Sequence, residues 1–126
     1  MPDRPIESVL IEFIPHADQR YATCGDWLFD GPRLVLRISR TADPRHQQLV
    51  AVHELIEALL CHRDDVTQAA VDAFDMGPGA TLADPGASPD APYHAQHMVA
   101  TAIERVMASA LGVEWDAYEA ALDALG

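Results

Sequence analysis

His53 and Glu57 stand four residues apart inside the stretch Leu49–Leu60, which reads Leu-Val-Ala-Val-His-Glu-Leu-Ile-Glu-Ala-Leu-Leu. Imidazole nitrogens and carboxylate oxygens are both donors that a divalent cation accepts. Apolar residues at 49, 52, 56, 59 and 60 recur at helical spacing with no Gly or Pro among them, so the stretch reads as an α-helix. At about 100° per residue, with His53 at zero, Glu57 falls near roughly 40°. Leu49, Ile56 and Leu60 fall within about 60° on the other side, and Val50 near roughly 60°. The two polar groups therefore lie together in the stripe expected to face the core. Buried without partners, such groups cost on the order of a few kcal/mol each. A single metal ion satisfies both. Glu54 falls near roughly 100°, at the edge of the stripe, where it could reach a water on that metal without being a ligand.

These residues need a helix start, a layer to lie on and a second element to complete the set. Asp43 followed by Pro44 supplies an N-cap and a first helical residue. Upstream, Val9–Ile14 is rich in β-branched and aromatic residues and reads as a strand. From Tyr21 to Arg40 the pattern predicts a meander. Tyr21–Thr23 and Trp27–Phe29 flank a turn at Gly25-Asp26, and Asp30-Gly31-Pro32 makes a second turn. Leu34–Ile38 is the clearest strand, with Leu34, Leu36 and Ile38 on one face toward the helix. Downstream, Thr67 is the expected N-cap of a short helix that turns Ala70, Val71 and Phe74 inward. Residues 76–92 hold four of the nine prolines and three of the seven glycines, and read as a loop, either a connector or a lid beside the metal cleft. Asp90-Ala91-Pro92 opens a second long helix ending at Gly112. Its expected core face is Val99, Ile103, Val106, Met107 and Ala110, with His97 and Glu104 flanking that face beside the small Ala100, Thr101 and Ala108. Trp115, Tyr118, Leu122 and Leu125 mark a terminal helix.

The expected class is thus α+β: a small antiparallel sheet of about three to four strands, then a helical half whose two long helices form a metal site. At 126 residues the chain is expected to be one domain, mainly β over 1–42 and mainly α over 43–126. Twenty acidic against eight basic residues give a net charge of −12, which argues against nucleic-acid binding. A cationic partner or simple solubility fits better. No apolar run approaches the roughly 18 residues of a membrane span, and Met1–Arg4 has no apolar signal core behind it. Cys24 and Cys61 are too few for a disulfide framework, although one pair can form, so a cytoplasmic setting is expected.

The run His53-Glu54-Leu55-Ile56-Glu57 resembles the zincin helix, His-Glu-x-x-His, with Glu in place of the second His. In the gluzincin branch of those metallopeptidases a Glu on a second helix completes two His and one carboxylate. Here the first helix offers His53 and Glu57 and the second offers His97, so the inventory is the same with Glu and His exchanged. The resemblance implies one zinc ion per chain on His53, Glu57 and His97, an open position holding water, and Glu54 as general base. It implies a minimal metallopeptidase acting on a peptide or other small substrate, with a sheet edge along the cleft to hold an extended chain. In size, and in its Pro92-Tyr93-His94-x-x-His97 helix start, the chain is also similar to small zincin-like proteins of phages and prophages.

Each residue has a plainer reading. His53 and Glu57 can be a hydrogen-bonded i, i+4 pair, Glu54 a helix-surface glutamate, and His97 a helix-edge histidine beside Glu104. His94, nearer to solvent, is the reserve ligand. Glu104 lies two turns from His97 and either neighbours Arg105 or orients a ligand from behind. Cys61 can join the site or be a small buried thiol. Trp27, Trp115 and Tyr118 read as core. Beside the hydrolase stand two other functions: a non-catalytic module in which the metal fixes two helices, and an all-α nucleotide pyrophosphohydrolase with Glu54 and Glu57 on magnesium. The last requires a second acidic pair on a facing helix, where only Glu104 is offered.

Overall fold

A computed structural model describes residues 4–126; Met1–Asp3, at the head of the expected signal-free N-terminus, lie outside the described residues. Three strands, β1 (Ser8–Ile14), β2 (Gly25–Asp30) and β3 (Arg33–Ser39), precede four helices. These are α1 (Pro44–Arg63), α2 (Gln68–Asp75), α3 (His94–Ala110) and α4 (Trp115–Asp123). The chain is therefore α+β and not all-α. No described helix is long and apolar enough to cross a membrane.

The sheet is mixed, where an antiparallel one was expected. Its order is β1-β3-β2, with β2 antiparallel and β1 parallel to β3. Residues 15–24 carry the chain across the end of the sheet to its far edge, which leaves room for β3 in the middle. That crossing is pinned by His16 Nδ1 on Ser39 Oγ at 2.8 Å and by Gln19 Nε2 donating to Arg37 O at 3.0 Å. The turn expected at Gly25-Asp26 is absent, and Tyr21–Thr23 is not a strand. Both residues of the pair open β2 instead, because Asp26 is held there by Arg20 at 2.8 Å and Gly25 meets α1 backbone-close. The turn at Gly31-Pro32 forms as expected, with Gly31 at φ 57°, left-handed backbone that glycine adopts freely.

Leu34, Leu36 and Ile38 are fully buried against Leu49, Val50, Ala58 and Cys61 of α1, as the alternation in β3 predicts. Asp43 caps α1 by accepting from Arg45 N, Pro44 is its first residue, and Thr67 caps α2 by accepting from Ala70 N. The far side of α1 packs on α3. A helix covered on two sides has no single apolar face, which explains why apolar residues surround it. The buried stripe of α1 runs through Leu49, Val50, His53, Glu54, Glu57 and Cys61, so Glu54 lies inside it instead of at its edge.

The face of α3 is reversed from the hydrophobic expectation. His97, Ala100, Glu104 and Ala108 are buried, while Val99, Ile103 and Met107 are exposed and Val106 is 71% exposed. Small residues let α3 approach α1 closely, and the two ionisable ones find their partners there. Gly112 at φ 71°, with Val113 N donating to Ala108 O at 2.9 Å, closes the helix in a Schellman turn. The orientation of α3 is testable by denaturation. Ala100→Leu should cost about 1–3 kcal/mol by overpacking, whereas Val106→Ser should stay within about 0.5 kcal/mol. The opposite ranking would mean that α3 is turned the other way.

Candidate metal centre

Between α1 and α3, three side-chain atoms converge. His53 Nε2 lies 3.1 Å from Glu57 Oε2 and 3.1 Å from His97 Nδ1, and His97 Nδ1 lies 3.0 Å from the same Glu57 oxygen. All three residues are buried, at 8%, 5% and 8% exposure for His53, Glu57 and His97. Donor atoms on a tetrahedral metal with bonds of about 2.0–2.2 Å stand about 3.3–3.6 Å apart, so this triangle fits three of the four vertices after small side-chain adjustments. The group can hold a metal ion.

The surroundings aim these atoms. His53 Nδ1 donates to Glu104 Oε1 at 2.8 Å, and Tyr118 OH donates to Glu104 Oε2 at 2.6 Å. His97 Nε2 donates to Asp84 Oδ1 at 3.1 Å. Trp27 Nε1 donates to Glu57 Oε1 at 3.1 Å. With the outer nitrogen of each ring donating to a carboxylate, its inner nitrogen presents a lone pair. Three lone pairs then face one another, which is unfavourable unless a cation or a proton lies among them.

The same electrostatics shift His53, His97, Glu57 and Glu54. Burial alone favours neutral imidazole, but hydrogen bonds to Glu104 and Glu57 outweigh it and lift His53 to about 11. His97 rises to about 9 because Asp84 and Glu57 outweigh its burial. Glu57 moves against its own burial to about 2, since His53 and His97 hold it ionised. Glu54 moves the other way: burial and then the charge of Glu57 push it well above the ordinary carboxylate range. It accepts no hydrogen bond among the described residues, and its Oε2 stands 4.0 Å from His53 Nε2. Gly25 makes this possible, because a Cβ there would sit 2.7 Å from Glu54 Cγ and 2.7 Å from Val50 Cγ1.

The expected ligands His53, Glu57 and His97 are thus brought together. His94 is not with them; its Nδ1 donates to Gly86 O at 3.0 Å and ties the helix start to the loop. Glu104 orients His53 and leaves Arg105 alone, whose guanidinium lies over the Trp115 ring at 4.4 Å. Cys61 is fully buried in the core and Cys24 is free, with no disulfide between them. Sequence reasoning missed Asp84 and the roles of Trp27 and Tyr118, read there as core alone. For the two aromatics a signal existed, since a buried indole N–H or phenol requires an acceptor. For Asp84 there was none. The 76–92 loop forms one wall of the site around a short 3₁₀ turn at Pro85–Ala87. Buried Gly86 lies so close that a Cβ would sit 2.4 Å from His97 Cγ.

The three donors open into a cavity of about 540 Å³ that also reaches Thr23, Gly25, Glu54 and α4. Comparison with family models, curated proteins and solved structures finds no match. Fold and site together define an α+β chain with a buried His-Glu-His group able to bind a metal.

Two measurements follow. In the metal-free chain, the raised pKa of His53 means that its stabilising contribution is complete below about pH 6.5 and lost as pH climbs toward about 11. Glu54, also raised, acts in the same direction. Metal binding requires deprotonated ligands and runs oppositely. Melting temperature in chelator should fall between pH 6.5 and about 9, while that with saturating divalent metal holds or rises. Parallel slopes would remove the site. Asp84→Asn should weaken metal affinity about 10–100-fold without unfolding the chain, and unchanged affinity by competition titration would leave Asp84 without that role.

Proposed function

We propose that this chain is a zinc-dependent hydrolase, most simply a minimal metallopeptidase. The observation that carries this reading is the pairing of a three-donor group with a buried carboxylate that accepts no hydrogen bond among the described residues: Glu54 Oε2 lies 4.0 Å from His53 Nε2. Two imidazoles and one carboxylate suit zinc better than magnesium, which prefers oxygen. When bound, zinc would supply Lewis acidity, drawing the pKa of water toward neutrality and polarising a carbonyl. Glu54, held above its usual range and free of hydrogen bonds, accepts the proton. Edge strand β2 begins at the cavity, whose wall Thr23, Cys24 and Gly25 help to line.

A second reading, a module in which the metal only fixes α1 to α3, draws on the α3 interface. The residues α3 buries there are His97, Ala100, Glu104 and Ala108, with no large apolar side chain among them. A cation would then contribute much of the closure between the helices.

Elemental analysis should find about one zinc per chain, and His53→Ala should lower both zinc content and melting temperature. Glu54→Gln should keep zinc and fold but lose turnover on peptide substrates by at least about 100-fold. Zinc retained in full by His53→Ala refutes the site. Wild-type turnover in Glu54→Gln refutes the base, and a zinc-loaded wild type without turnover favours the module.

A further inference from the structure

Strand β1 is open along its outer side. The order β1-β3-β2 puts it at an edge of the sheet, while α1 lies over β2 and β3. Val9, Ile11 and Phe13 share the α1 face with Leu34, Leu36 and Ile38, their partners in β3. Those partners are fully buried, yet the three β1 residues are 37–46% exposed. Leu10, on the opposite face, is exposed as well. Soluble chains ordinarily blunt such an edge with lysine, proline or a bulge. Ser8–Ile14 has none of these: its register with β3 is unbroken, and Glu12 is its one charge.

The ladder fixes which main-chain groups are free. Arg40 N donates to Ile14 O at 2.7 Å, so Ile14 turns its main chain toward β3, and Glu12 and Leu10 follow by alternation. The N–H and C=O groups of Val9, Ile11 and Phe13 therefore point to the open edge. Phe13 O accepts from Arg40 Nε at 3.1 Å and, as a carbonyl, can accept once more.

These groups suit a second β1 running antiparallel, and one register stands out. Centred on Ile11, the pair sets Ile11 against its own copy and Val9 against Phe13, which are the residues whose main-chain groups are free. Glu12 then stands opposite Leu10. Centred on Glu12, two carboxylates would face each other, which is destabilising, and the outermost pair would need an N–H from Pro15. Centred on Leu10, the pair would call on Glu7 N, which already donates to Pro32 O at 2.9 Å. The exposed apolar residues of α3 offer no comparable main-chain groups to align a partner.

We propose that the chain forms a two-fold dimer through β1, paired antiparallel about Ile11. The axis stands perpendicular to the sheet, so both α1 helices lie on one face of a six-stranded sheet. Val9, Ile11 and Phe13 of the two copies then cover one another on that face. No residue of β1 lines the metal cavity, so both cavities stay open and the dimer does not rest on the hydrolase reading.

Sedimentation equilibrium of the full chain at about 50 μM should give the mass of two chains. Ile11→Lys keeps the bonds to β3 but sets two ammonium groups opposite each other. It should give the mass of one chain, a loss of at least about 100-fold in affinity, with the wild-type circular-dichroism spectrum. Residue-resolved amide exchange needs no variant. The Val9, Ile11 and Phe13 amides should be protected in the dimer and lose that protection on dilution, while Leu10 and Glu12 stay protected by β3. Should Ile11→Lys fail to fold, this pattern carries the test. A wild type of one-chain mass, a dimer that survives Ile11→Lys, or unprotected Val9, Ile11 and Phe13 amides in a two-chain species would overturn the proposal. A dimer lost in Val106→Asp but kept in Ile11→Lys would move the contact to α3 and overturn it equally.

Discussion

Everything in this structure is arranged around three acceptor atoms, His53 Nε2, Glu57 Oε2 and His97 Nδ1, held 3.0–3.1 Å apart in a buried layer. Such a cluster is stable only when something positive sits within it, and a partly satisfied buried network is worse than an apolar one. The chain completes the network outward. Glu104, Asp84 and Trp27 each take one remaining valence of a donor residue, and Tyr118 takes the second oxygen of Glu104. Four separate elements thereby become conditions for a single geometry: β2, α3, α4 and the loop before α3. The partners also explain the low exposure of so many ionisable groups. Each is buried because its neighbours are.

The two sides of α1 divide the labour. Toward the sheet, Leu34, Leu36 and Ile38 bury fully against Leu49, Val50, Ala58 and Cys61 and supply ordinary hydrophobic stabilisation. Toward α3 the contact is made by alanines and polar groups, which gain little from area and much from alignment. Trp27 joins the two regimes. Its ring packs in the core while its indole N–H reaches Glu57, so the sheet helps to fix a ligand that sits on the helix.

This division determines what could be read from the residues alone. Helix α1, its Asp43-Pro44 start, the Leu/Ile face of β3 and the Thr67 cap follow from local rules, and the structure has them all. The convergence of His53, Glu57 and His97 was also legible, because i, i+4 spacing fixes two of the positions and small residues near His97 mark a close helix crossing. The orientation of α3 was not. Hydrophobic periodicity assigns the apolar side to the core, and here Val99, Ile103, Val106 and Met107 face outward because the opposite side carries the site. Parallel pairing of β1 was hidden for a different reason: strand order depends on how residues 15–24 cross the sheet, which no period encodes. Asp84 was hidden because it reaches His97 from an irregular loop.

The contrast between Glu54 and Glu57 shows how far environment can separate like groups. They lie three residues apart on one helix and are equally out of reach of bulk water, at 9% and 5% exposure. Glu57 has Trp27, His53 and His97 as partners and is driven down to about 2. Glu54 has the bare backbone of Gly25 against its Cγ and no donor, and is driven up by burial and by its neighbour's charge. Two carboxylates with pKa values pushed apart is the arrangement in which one can stay ionised on a cation while the other takes up and returns a proton. Gly25 is the structural cause. Any side chain there would collide with Glu54 and with Val50, so the close approach of β2 to α1 and the lack of a hydrogen-bond donor to Glu54 are one feature of the packing.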